Sequence, residues 1–141
     1  MRSMLPLALL ANLAALLPAI GNAADLTVEL HGVRVQTGML RLAVVDGQAG
    51  WDGKAKPAAS REQRPSHDTA KFTFAGLAPG VYAVMVTHDE NGNGILDTNL
   101  VGLPTEGYGF SNNPRVMRKP TWDEARFLLD AAGTTIRIEL R

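Results

Sequence analysis

Residues 88–97, HDENGNGILD, put three carboxylates and two Asn-Gly pairs into a ten-residue tract. Counted from Asp89, side-chain oxygens recur at positions 1 (Asp89), 3 (Asn91), 5 (Asn93) and 9 (Asp97). Glycine stands at position 6 (Gly94), and position 7 offers the carbonyl of Ile95. This is the ligand rhythm of a calcium loop of the D-x-[DN]-x-[DN]-G type. Calcium is a hard ion that takes about six to eight oxygens, and alternate residues of a tight loop can aim at one centre. The departure lies at position 12, where a bidentate acid usually closes the shell and this chain has Leu100. Glu106 or water would have to fill that place, and the expected affinity is the roughly 10⁻⁴ to 10⁻³ M of extracellular modules. The same residues also read as consecutive tight turns in which Asp89 and Asp97 accept backbone N–H groups. Both readings, Ca²⁺ site and ion-free loop, stand at this point.

Further along, EGYGFSNN sets Tyr108 and Phe110 on one side of an extended segment, followed by the amides of Asn112 and Asn113. One reading is a binding face for a sugar or peptide. The plainer one folds both aromatics over the open end of the domain, with the asparagines tying the loop to its own backbone. An ordered excursion of this length needs such apolar anchors to offset its conformational entropy. Catalytic groupings are missing. Ser60, Ser66 and Ser111 lack the glycine pattern of a nucleophile elbow. Asp97 and Glu106 could be imagined as the carboxylate pair of a small hydrolase, but nothing in their surroundings separates an acid from a base. With no cysteine, thiol catalysis and thiolate metal sites are excluded. His31, His67 and His88 share no zinc-binding spacing. The expectation is a protein that is not an enzyme.

The elements that position these residues follow from patterning. Residues 1–23 have the layout of a secretory signal peptide: Arg2, an apolar stretch from Leu5 to Ile20, then small residues for cleavage after Ala23 or Ala24. Pro6, Asn12 and Pro18 interrupt that stretch and disfavour a membrane anchor. Residues 24–141 form one domain of 118 residues with a formal charge of −1, which points to neither nucleic acid nor an acidic surface as partner. No later segment is apolar enough to span a membrane, so the mature chain is expected to be periplasmic or secreted.

Leu26, Val28 and Leu30 alternate with polar residues, as do Leu40, Leu42 and Val44, giving two strands with a hairpin-like link at Gly38. Residues 46–66 lose all periodicity and read as a long loop pinned to the sandwich edge by Trp51, with ligand stacking as the alternative role of that ring. AKFTFAGLAPGVYAVMVTHD predicts a β-hairpin whose second strand is central and covered on both faces. The long loop 88–120 follows. Thr121 and Glu124 fit a capping box and predict a helical turn at 122–125, with a longer helix over 122–130 as the competing reading. ARFLLD and TTIRIELR then read as a closing hairpin. About six or seven short strands without a long helix predict an all-β, Ig-like or transthyretin-like sandwich with one long ordered loop.

FAGLAPGVYAV together with THDENGNGILDTNLVGLPTEGYGFSNN resembles the signature stretch of a bacterial family, domain of unknown function 2141. The resemblance extends from about Leu26 to Leu140 and is most specific over 88–113. The GLAPGVYAV segment is also similar to transthyretin-like and carboxypeptidase-regulatory-like modules. The resemblance implies an exported small β-sandwich and carries over no catalytic residue. The acidic Asn-Gly loop belongs to the family pattern and is kept here at Asp89, Asn91, Asn93 and Asp97. The combined expectation is a non-catalytic module of the cell envelope that binds a protein or glycan partner, with a calcium-organised or hydrogen-bonded loop.

Overall fold

The computed structural model describes residues 21–141, so the signal-peptide reading of residues 1–23 falls outside the described residues except at its last three positions. The element order is β1 (Ala24–His31), β2 (Met39–Val45), α1 (Gln48–Trp51), β3 (Ala59–Gln63), β4 (Thr69–Leu77), β5 (Gly80–Asp89), β6 (Tyr108–Phe110), α2 (Trp122–Ala125), β7 (Phe127–Leu129) and β8 (Thr134–Glu139). Among the described residues strand accounts for 44% and helix for 7%, an all-β fold with eight strands, slightly more than expected. One sheet has the order β4-β1-β8, and the other runs β3-β2-β5-β6 with β7 also pairing β5. No helix among the described residues is long and apolar enough to cross a membrane.

The core lies between the two sheets because each supplies one apolar face. Leu26, Val28 and Leu30 of β1 meet Phe72 and Phe74 of β4 and Ile138 of β8 from one side. Leu40, Leu42 and Val44 of β2, with Tyr82, Val84 and Val86 of β5, close it from the other. Burying one such side chain fully is worth about 1.5–3 kcal/mol, so this layer supplies most of the driving force.

Three expected hairpins are arches instead. β1 pairs with β4 and β8 and never with β2; β4 pairs with β1 and never with β5; β7 pairs β5 while β8 runs parallel to β1. Alternation dictates which face of a strand is buried, not which neighbour it bonds to. Where successive apolar faces confront one another across the core, a tight turn carries the chain from sheet to sheet. GLAPG is such a turn, with Gly76 at a φ of +75°. The centrality of β5 holds, with β2 on one side and β6 and β7 on the other, but its second face is only partly covered: Val81 is exposed, and Met85 and Thr87 line open hollows.

The aperiodic 46–66 segment is not all loop. It contains α1 and β3, and β3 is an exposed edge strand paired with β2, so no apolar alternation marks it. Trp51 does pin the segment. Its indole N–H donates to the carbonyl of Pro120 at 2.9 Å, and its ring packs on Phe110 and Trp122. With Val45, Ala83 and Ala125 these residues make a second, small core on the outer face of the five-stranded sheet.

The capping box forms as read, and α2 stops at Ala125, so the longer helix over 122–130 is not adopted. The Arg118 guanidinium and the Thr121 backbone N–H hold the Glu124 carboxyl at a pKa of about 2, below its ordinary 4.5. A depressed pKa contributes stability that is present above the unfolded value and lost as pH falls through the folded one. Glu124→Gln therefore lowers the melting temperature at pH 7. Its gap from wild type closes as pH is taken from about 4.5 to about 2, and a gap independent of pH would contradict this assignment.

Candidate functional site

Between Asp89 at the end of β5 and Tyr108 at the start of β6, the chain leaves the sheet and loses its ladder partners. Buried backbone groups must still be paired. Two buried carboxylates do this. Glu106 is 5% exposed; its Oε1 accepts the N–H of Glu90 at 2.9 Å and of Asn91 at 3.4 Å, and its Oε2 accepts that of Asp97 at 2.9 Å. Asp89 is 2% exposed; Oδ1 accepts from the N–H of Asn93 at 3.1 Å, and Oδ2 from that of Gly94 at 2.8 Å. Glu90 adds a third acceptor, taking the Gly107 N–H at 3.0 Å.

Two arginines offset this charge. Arg41 Nη1 donates to Asp89 Oδ2 at 2.9 Å, and Arg34 Nε to Glu90 Oε1 at 2.8 Å. Burial pushes the Asp89 carboxyl up, but the Gly94 N–H, the Arg41 guanidinium and the Gly92 N–H together outweigh it and hold its pKa below the ordinary 3.8. This contribution to stability is therefore complete at neutral pH and disappears as pH falls through the depressed native value.

The four proposed calcium side chains do come together. Asn91 Nδ2 lies 2.5 Å from Asp97 Oδ2, and Asn93 Nδ2 is 3.0 Å from both Asp97 oxygens. The asparagine oxygens face the other way, with Asn91 Oδ1 accepting from Asn93 N–H and Asn93 Oδ1 from Ile95 N–H, each at 3.0 Å. These are successive Asx turns, and Gly92 and Gly94 supply the positive φ they need, at +75° and +85°. An oxygen-rich set of this kind suits a hard cation once both amides turn over, which would release the Ile95 N–H while Asp89 Oδ1 still accepts that of Asn93. Glu106, the suggested extra ligand, already serves three amides. Among the described residues no three of His, Cys, Asp or Glu are grouped to hold a metal. His88 is fully buried, its Nε2 facing the Thr37 carbonyl at 2.8 Å while Nδ1 has no hydrogen-bond partner and lies 4.0 Å from Glu90 Oε1.

The residues of EGYGFSNN divide into two roles. In β6, Gly109 faces inward, where a Cβ would come within 2.7 Å of Ile138 Cγ2, so Tyr108 and Phe110 face outward. Their rings stand 5.9 Å apart, opposite Thr87 and Met85 of β5. Asn112 and Asn113 take no part in that face. Both adopt positive φ, and their amides tie down the carbonyls of Arg126 and Arg137 at 2.8 and 2.9 Å. Ser111 is likewise structural: its hydroxyl donates to Ala125 and accepts from Val84 N–H.

What sequence reasoning missed is the trough these aromatics floor. Met85, Thr87, Leu96, Leu103 and Met117 join them around a cavity of about 400 Å³ on the outer face of the sheet. A shallower hollow of about 460 Å³ shares Met85 and Thr87 and extends toward Arg41 and Glu62. The overlooked signal was NLVGLP, three aliphatic residues in six positions of the loop. Leu100, Val101 and Leu103 are all exposed, on a turn that Asn99 Oδ1 holds through two N–H groups at 3.0 Å.

A family model described as an uncharacterized protein conserved in bacteria (DUF2141) matches residues 28–137, most of the chain. The chain belongs to that family. No curated protein and no solved structure matches it.

If Glu106 is the anchor of the excursion, Glu106→Gln replaces one acceptor by a donor facing an N–H group. The expected loss is about 1–3 kcal/mol in urea unfolding. The more exposed Asp97→Asn should lose less, and an Asp97→Asn loss exceeding that of Glu106→Gln would contradict the ranking.

Proposed function

We propose that this member of the DUF2141 family is a non-catalytic, exported binding module of the bacterial cell envelope, with its binding face on the outer side of the five-stranded sheet. The 88–113 excursion serves as a rigid wall of that face, held by its own hydrogen bonds. One observation carries the reading. The acidic and amide side chains of the excursion are engaged with the protein's own backbone and with one another, whereas Leu96, Leu103, Tyr108 and Phe110 line an open trough. That division suits a platform for a partner better than a reaction centre. A hydrolase would need a free carboxylate or nucleophile, and Glu106 and Ser111 are both committed to backbone groups.

A second reading, the calcium loop, is favoured by a specific feature. Asn91, Asn93 and Asp97 converge, and Asp89 lies in the same turn with the backbone bonds that would orient it toward an ion. In this reading Asp89, Asn91, Asn93 and Asp97 coordinate through side chains and Ile95 through its carbonyl. The two readings separate in thermal unfolding of the protein in chelator, then in calcium up to several millimolar, with magnesium as control. The hydrogen-bonded wall gives the same melting temperature throughout. A calcium-specific rise, abolished in Asp89→Ala, would replace it with the ion site.

A further inference from the structure

The wall, the floor and the charges of the trough together define a ligand class, an inference that rests on the binding-face reading above. The floor is Met85, Tyr108 and Phe110, and the two lips are Leu103 and Met117. Thioethers and aliphatic ends mould to a flexible chain, unlike the flat slot that a planar ring requires. The lining contains two cations, Arg118 and Lys119, and no carboxylate. Arg118 is already paired with Glu124 at 2.7 Å. Lys119 is different: its ammonium donates to the Trp51 carbonyl and stands 4.8 Å from the Trp51 ring centroid, and among the described residues no acid reaches it. It is a positioned cation with N–H groups to spare at the end of an apolar cavity.

The floor also offers no main chain to an extended peptide. The free edge of β6 is taken, because the N–H of Tyr108 donates to the Arg141 carbonyl at 3.2 Å and the Arg141 N–H donates back at 2.9 Å. On its other side β6 is bonded to β5. Polar groups along the floor reduce to the hydroxyls of Thr87 and Tyr108. A ligand lying there meets apolar surface along its length and a positive charge at one end.

We infer that the trough binds a monomeric anionic amphiphile with a single unbranched hydrocarbon chain. The chain lies over Met85, Tyr108 and Phe110 between the Leu103 and Met117 lips, and the acid group meets Lys119. The acid accepts the remaining ammonium N–H groups, while Trp51 and the Pro120 turn hold that end of the cavity in place.

The test is calorimetric titration of the purified protein with decanoate, undecanoate and dodecanoate below their micelle concentrations, with dodecanol as the uncharged match. Saturable one-to-one binding is expected, tightening about fourfold per added methylene until the cavity is full. Dodecanol should bind at least about tenfold more weakly than dodecanoate. Leu103→Glu, at an exposed position that leaves the core untouched, should abolish binding of both; Lys119→Met should weaken dodecanoate selectively. Equal affinity for acid and alcohol, or binding unaffected by Leu103→Glu, would overturn the assignment. Phosphatidylglycerol vesicles bound through Leu103 without any binding of free dodecanoate would also overturn it, in favour of a lipid surface, and would leave the binding face in place. Failure of both probes would remove the ligand class and the apolar face together.

Discussion

The Glu106 carboxylate, withdrawn from solvent and surrounded by three backbone N–H groups, is the interaction on which the 90–107 excursion depends. Its donors come from two legs of the loop: Glu90 and Asn91 where the chain leaves β5, and Asp97 where it turns back. One side chain thus closes a span that has no strand ladder of its own. A buried carboxylate is costly unless its lone pairs are filled, and filling them with N–H groups that would otherwise be orphaned resolves both problems together. Asp89 repeats the device on the Asn93–Gly94 turn, and the nearby arginines keep the cluster from accumulating uncompensated charge.

Consequences run outward from that anchor. With 90–97 held, the chain returns to pair β6 with β5, and the inward-facing Gly109 turns Tyr108 and Phe110 to the outer face. The Asn99 turn then projects Leu100, Val101 and Leu103 instead of burying them. Exposed aliphatics on a well-bonded turn are a different matter from those on a frayed one: their presentation is a property of the fold. On the opposite wall, Trp51 and the capped α2 turn fix the 115–120 segment, so both sides of the trough rest on hydrogen-bonded supports.

Much of this was legible in the sequence, and the failures share a cause. Period-two alternation located β1, β2, β4 and β8 with their buried faces, an apolar run located β5, and Thr121 with Glu124 marked α2 to the residue. Pairing was not legible, because a strand's apolar face does not name its hydrogen-bonded neighbour; hence three arches were read as hairpins. β3 escaped notice because an exposed edge strand has no buried face to imprint a pattern on SREQ. In the loop, the spacing of Asp89, Asn91, Asn93 and Asp97 correctly signalled convergence, but a calcium shell and a set of Asx turns use the same spacing. Here the amide oxygens accept backbone N–H groups, and a response to added calcium is what tells the two readings apart. The trough was invisible because its floor and lips are assembled from β5, β6 and two distant loop segments.

Native-state hydrogen exchange of the Glu90, Asn91 and Asp97 amides, in chelator, tests the central claim most directly. If the buried carboxylates alone organise the excursion, all three amides are protected together without added ion, and Glu106→Gln exposes them as a group while the core strands stay protected. Rapid exchange of these amides in chelator, slowed only when calcium is supplied, would contradict the account and identify the ion as the organiser of the loop.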